Sequence, residues 1–238
     1  MAKGSNMQIL ALDSSGLVAS VAIVDEEQTL AEYTINYKMT HSQTLLPMLD
    51  EVTKIMGFDL RSIDAIAISG GPGSFTGLRI GSATAKGLGM ALEKPLIHIP
   101  TLDGLAYNLL GKSGLICPIM DARRNQVYTG IYYCQDELEI VEKQMAIEIE
   151  VLISMLNERQ EPVTFLGDGV PAYRIIIEEK LKVPFAFAPL HMNRQRAAAV
   201  GALGIRYYKE GKTEEAKDHK PDYLRLSQAE RERMEKEA

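Results

Sequence analysis

Residues 66–81 read Ile-Ala-Ile-Ser-Gly-Gly-Pro-Gly-Ser-Phe-Thr-Gly-Leu-Arg-Ile-Gly. An apolar run enters a glycine-dense turn and a helical pattern leaves it. That order commonly presents backbone N–H groups to a phosphate, and Gly73, Ser74 and Thr76 stand where such an anion would sit. The spacing fits no standard phosphate fingerprint. No glycine starts a G-x-x-x-x-G-K-[ST] loop, and Gly71, Gly73 and Gly77 span one residue too many for the dinucleotide motif. The same glycines equally suit a tight turn with close strand–helix approach, and both readings stand.

Three acidic residues sit at turns. Asp13 ends the apolar run 7–12 and precedes Ser14-Ser15-Gly16; Asp121 ends the run 115–120; Asp168 lies between Gly167 and Gly169. In a nucleotide-hydrolysing fold such carboxylates orient metal-bound water or phosphate. As turn residues they bond nearby backbone N–H groups instead. Arg123 and Arg124, close behind Asp121, favour a local ion pair there. The histidines, His41, His98, His191 and His219, are far apart in sequence, with no H-x-x-x-H or H-E-x-x-H, so no metal site is expected. Without those motifs or a G-x-S-x-G elbow, protease chemistry is excluded.

The elements that must carry these residues repeat. Strands over 7–12, 18–24 and 29–37 form a meander, followed by a helix over 42–56, a strand over 64–69, the glycine loop and a helix over 76–92. A short strand over 96–99 and a helix over 102–110 close this half. The order then restarts: strands over 115–120, 126–134 and 138–143, a helix over 151–157, a strand over 163–166, a glycine turn and a helix over 173–181. Asp13 and Asp121 fall at equivalent corners. A helix over 194–209 and a polar tail follow, the last eleven residues reading as a solvated, frayed helix. The predicted fold class is α/β: two duplicated ribonuclease-H-like, actin-like (ASKHA) subdomains, each a mixed sheet flanked by helices. The expected division is an added leader at 1–6, subdomains at 7–111 and 112–225, and a charged tail at 226–238.

Composition narrows the function. The 238 residues are 46% hydrophobic and 24% charged, with a net charge of −6, which suits a globular domain and opposes autonomous nucleic-acid binding. Arg194, Arg196, Arg206 and Lys209 offer at most a share of a nucleic-acid surface completed by a partner. No apolar run approaches the ~20 residues of a membrane span, and no secretory signal is read at the start. Cys117 and Cys134, in apolar runs, read as buried reduced thiols of a cytoplasmic protein.

The blocks ILALDSS (9–15), HSQTLLP (41–47), GPGSFTGLRIG (71–81), ATAKGL (83–88), DAR (121–123) and PDYLR (221–225) resemble the bacterial TsaB (YeaZ) family of tRNA threonylcarbamoyladenosine biosynthesis proteins, across nearly the whole chain. The resemblance implies a non-catalytic partner of the paralogue TsaD, which carries a metal on a helical histidine pair and threonylcarbamoylates adenosine 37 of tRNAs reading ANN codons. TsaE joins that pair, TsaC-type enzymes supply the activated donor, and tRNA is met only through the complex. ATP or ADP with Mg belongs at most to the assembled complex. The alternative is an active ATPase or kinase using the interdomain cleft with Asp13 and the glycine loop.

The helix over 76–92 points to the partner surface. Its charges, Arg79, Lys86 and then Glu93, are seven apart and form one stripe; the rest is small or apolar. Gly81, Gly87 and Gly89 each cost about 1 kcal/mol relative to Ala in a helix, which close approach of another element would offset. The expected helix-bundle interface, serving TsaD or a homodimer, comprises Leu45, Leu49, Ile80, Gly81, Ala83, Thr84, Gly87 and Ala91.

Overall fold

The computed structural model describes residues 6–37 and 44–225. The leader, the start of the first helix at 42 and the charged tail fall outside those residues, apart from residue 6. Among the described residues there are two five-stranded sheets. The first comprises β1 (Gln8–Asp13), β2 (Ala19–Asp25), β3 (Thr29–Ile35), β4 (Ala65–Gly71) and β5 (Leu96–Pro100), in spatial order β3-β2-β1-β4-β5. The second comprises β6 (Lys112–Asp121), β7 (Gln126–Cys134), β8 (Glu139–Glu148), β9 (Val163–Leu166) and β10 (Phe185–Phe187), in order β8-β7-β6-β9-β10. In each, the first strand pairs antiparallel with the second and parallel with the fourth. The two halves therefore repeat one topology, as the order of sequence patterns implied.

Helices α1 (Leu45–Met56) and α2 (Phe75–Leu92) cover the outer face of the first sheet; α4 (Ile149–Arg159) and α5 (Val170–Lys180) cover the outer face of the second. Helices α3 (Thr101–Tyr107) and α6 (Ala197–Lys209) lie between the sheets. Strand alternation sorts side chains by size. Ile66 and Ile68 point with Leu10 and Leu12 to the α1/α2 side, while Ala65 and Ala67 point with Ala11 to the α6 side. The small inner residues let α6 approach closely. A Cβ on Gly204 would stand 2.9 Å from the Ala67 Cβ, and one on Gly201 would stand 2.7 Å from Val24 Cγ2. Val200 and Leu203 of α6 are buried in this middle layer, each contributing about 1.5–3 kcal/mol of burial.

Several expectations need correction. The second subdomain does not keep all of 112–225 to itself, because α6 packs on the first sheet and Glu214 pairs with Leu96 of β5. Strand β8 runs to Glu148 rather than residue 143, since its later residues pair with β7 down to Gln126. The short edge strand β10, parallel to β9, was not anticipated: three residues carry no periodicity. In α1, Pro47 is tolerated because it lies in the first turn, and Gly57 closes the helix in the left-handed region at φ 60°. Cys117 and Cys134 are buried and free, and burial pushes both thiols up to about 12.

Candidate functional site

The two halves enclose a cleft of about 580 Å³. Its walls bring together Gly73 and Ser74 of the glycine loop with Asp121 and Asp168 of the second half. The other expected site residues are not on the wall. Asp13 is only 1% exposed. Its Oδ1 accepts the Ser15 N–H at 2.9 Å and the Ser15 hydroxyl at 2.7 Å, and its Oδ2 accepts the Ser69 hydroxyl at 2.5 Å. It is the fastener of its corner. Ser14 is likewise buried, donating to the Gly77 carbonyl at 2.8 Å beneath α2. Thr76 is exposed on α2. Gly167 serves a backbone bend at φ 108°, where a Cβ would meet the Ile119 carbonyl oxygen at 2.2 Å.

The glycine loop spends donors internally. The Ser74 N–H reaches the Ser15 carbonyl at 2.6 Å, and the Ser74 hydroxyl caps α2 by accepting the Gly77 N–H at 3.3 Å. A Cβ on Gly73 would stand 2.2 Å from the Ser15 carbonyl oxygen. These glycines let loop and corner touch, which is the close-approach reading of the motif.

On the opposite wall, Asp121 Oδ1 accepts the Arg123 N–H at 2.8 Å and the Tyr173 hydroxyl at 3.1 Å, while Oδ2 lies 3.3 Å from Arg123 Nη1. Burial, reinforced by Asp121, pushes the Tyr173 phenol up to about 12. Burial also pushes the Asp168 carboxyl above its usual range, against the Asp121 N–H and Arg194. The hairpin behind Asp121 holds Arg123, Arg124 and Asn125 consecutively at φ 65°, 55° and 58°, left-handed positions that side chains rarely occupy.

The C-terminal segment forms the cleft's remaining wall. The Asp222 N–H reaches the Gly70 carbonyl at 2.6 Å, Tyr223 stacks on Phe75 with centroids 4.4 Å apart, and Arg225 donates to the Ala122 carbonyl. The Arg79 guanidinium also lies over Phe75 at 4.1 Å. This segment thus bridges the first half, through Gly70 and Phe75, to the second, through Ala122. Sequence reasoning missed its role; the only signal was the PDYLR block itself.

The expected helical interface is only partly outward. Leu45 and Leu49 are 1% and 3% exposed and belong to the first sheet's outer core. Gly81 is spent on Ser14, whose Oγ a Cβ would meet at 2.3 Å. These three are corrected: a regular apolar stripe marks the face a helix buries on its own sheet. Ile80 and Thr84 are half-buried, and Ala83, Gly87 and Ala91 are exposed. Among the described residues nothing lies within 4 Å of a Cβ placed on Gly87, and Met90 beside it is 63% exposed. Leu46 and Ile55 of α1 are exposed to either side of its buried stripe.

Two histidines far apart in sequence meet in space. His98 and His219, distant in sequence, have ring centroids 5.6 Å apart. His219 is buried, which holds its imidazole below the usual range against the pull of Glu214.

A family model described as TsaD, tRNA N6-adenosine threonylcarbamoyltransferase, matches residues 28–233. A Bacillus subtilis protein, "tRNA threonylcarbamoyladenosine biosynthesis protein TsaB", is 34% identical over 94% of this chain and 96% of its own. The solved structure "YeaZ from Pseudomonas aeruginosa" superposes with a TM-score of 0.76 at 27% identity, covering 92% of this chain and all of that one. An inorganic polyphosphate/ATP-glucomannokinase from Arthrobacter sp. strain KM shares the fold at a TM-score of 0.50 and 14% identity, covering 86% of this chain and 100% of its own. The architecture is the duplicated actin-like (ASKHA) one. No helix among the described residues is long and apolar enough to cross a membrane.

Proposed function

The chain belongs to the TsaB family of tRNA threonylcarbamoyladenosine biosynthesis proteins, and from that membership we propose that it serves this pathway as a non-catalytic partner that docks on and activates a TsaD-type paralogue. TsaE joins the pair, tRNA is reached only through the complex, and nucleotide with Mg enters at that level. In isolation the same surface closes a homodimer, and the cytoplasm is where the assembly works.

The observation that carries this reading is the outward strip of α2. Ala83, Gly87 and Ala91 are exposed, with Met90 at 63%. Gly87 weakens the helix by about 1 kcal/mol relative to Ala, yet no neighbour among the described residues uses the room it leaves. A second α/β surface approaching there would use it, within an interface of about 1,200–2,000 Å². Both glycines flanking Gly87 in the helix, Gly81 and Gly89, are spent inside the chain instead. The buried Asp13 supports a subunit that does not hydrolyse nucleotide.

The test is co-purification with the TsaD paralogue. Gly87→Lys and Ala83→Arg are expected to abolish pairing while leaving the unfolding midpoint nearly unchanged, because both positions are exposed. Retention of partner by both variants would refute the assignment. The 580 Å³ cleft motivates the enzyme alternative, which ATP titration of the isolated chain decides. Magnesium-dependent binding with turnover would establish it.

A further inference from the structure

His98, the third residue of β5, and His219, directly after the 3-10 turn Ala216–Asp218, are joined by Glu214. Glu214 is placed by backbone pairing with Leu96, its N–H and carbonyl each engaged at 2.9 Å. Its Oε1 lies 2.6 Å from His219 Nδ1. One donor atom from each of the three residues lies within 4.8 Å of the other two. Asp222 adds a carboxylate, with Oδ2 3.2 Å from His98 Nε2.

This cluster carries an unmet need. The His219 side chain is 0% exposed, and among the described residues its Nε2 has no hydrogen-bond partner. His98 Nε2 is also buried and, despite its nearness to Asp222, makes no hydrogen bond among them. Buried ring nitrogens are ordinarily satisfied. Lys86 is directed here from α2, and its Nζ donates to the carbonyls of Lys217 and His219 at 2.7 and 3.2 Å, not to either carboxylate. Two imidazoles and the Glu214 carboxylate therefore converge, Asp222 standing beside His98 alone, with no side-chain cation bonded to either carboxylate among the described residues.

We propose that His98, Glu214 and His219, with Asp222 as a fourth donor, form a binding site for a zinc-class divalent cation. Two nitrogens with one or two carboxylate oxygens suit Zn2+ and its borderline neighbours, whereas Mg2+ and Ca2+ favour all-oxygen sets. Small side-chain rotations draw the donors to the 2.0–2.2 Å radius such an ion needs. The ligands come from a strand and from the far end of the chain, not from a helical histidine pair. The ion acts as a clip: it fixes the segment from Glu214 to Asp222 against β5, and the residues directly after it line the cleft. This proposal is independent of the partner reading.

The test uses the full-length protein stripped with chelator and titrated with Co2+, then Zn2+. One equivalent of Co2+ should give the visible ligand-field bands of a four- or five-coordinate nitrogen–oxygen site. Zn2+ should displace it and raise the melting temperature, and excess Mg2+ should do neither. His98→Gln and Glu214→Gln should each weaken binding at least about tenfold, while His191→Gln should bind as the parent does. His98 is partly exposed, so its variant is expected to fold, and its far-ultraviolet spectrum verifies this. Absence of Co2+ bands in the parent, or undiminished bands in folded His98→Gln, would overturn the site.

Discussion

Asp13 and Asp121 end the first strand of each repeat, yet one lies in the interior and the other lines the cleft. Asp13 gathers the N–H and hydroxyl of Ser15 and the hydroxyl of Ser69. Asp121 holds Arg123 and Tyr173 and faces the cleft. The glycines of the turns opposite them differ one from another. A Cβ on Gly73 would reach the Ser15 carbonyl oxygen at 2.2 Å, whereas one on Gly169 would stand 3.0 Å from that of Ile119. Gly167 of the same turn is pressed as closely as Gly73, since a Cβ there would meet the Ile119 carbonyl oxygen at 2.2 Å, so both turns touch their corners. Duplication preserved the topology and these contacts, while the surroundings of the two aspartates diverged.

The largest effect expected from that contrast is at the aspartates. Asp13→Ala strands three buried donors and should cost about 4 kcal/mol, against about 1 kcal/mol for Asp121→Ala, read from urea unfolding midpoints. Equal costs would erase the distinction. Next come the glycines: Gly73→Ala should cost about 3 kcal/mol and Gly169→Ala about 1 kcal/mol, on the same assay.

A third test addresses the layer both halves share. Asp103 is buried between the sheets, accepting the Tyr132 hydroxyl at 2.9 Å and the Tyr207 hydroxyl at 3.3 Å. Burial raises its carboxyl, against those two hydrogen bonds. The folded state thus holds this proton more tightly than the unfolded chain. Its contribution is complete below the unfolded value of about 4 and is lost as pH rises through the higher folded value. Asp103→Asn should flatten the pH dependence of stability across that window, measured by unfolding at a series of pH values. The smallest effect is at Gly87, where Ala should stabilise the isolated chain by about 0.5–1 kcal/mol while weakening partner binding, in contrast with destabilising Gly81→Ala in the same helix.

Much of this was legible in the residues. The repeated order of apolar runs and turns revealed the duplication, because strand and helix periodicities are local. The glycine loop was recognised, and its spacing left both a tight turn and an anion cradle open. Longer-range relations were hidden. Nothing near Leu45 or Leu49 distinguishes a stripe buried on its own sheet from one offered to a partner; Leu46 and Ile55, outside the stripe, are the large apolar residues of this helix left exposed. His98 and His219 carry no mutual spacing rule, since β5 and the C-terminal segment meet only through the bridge between Leu96 and Glu214. The close approach of Gly201 and Gly204 to the first sheet was equally unreadable, for it depends on which alanines face them.

That last contact bears on biosynthesis. Ile9, Ala11, Ala22 and Val24 leave the ribosome well before α6, which covers them. At about 5–20 residues per second, the ribosome leaves this greasy surface bare for on the order of ten seconds or more. The nascent chain must spend that interval held apart from its neighbours, and the first sheet becomes watertight only when the helix emerges and slots onto its alanines.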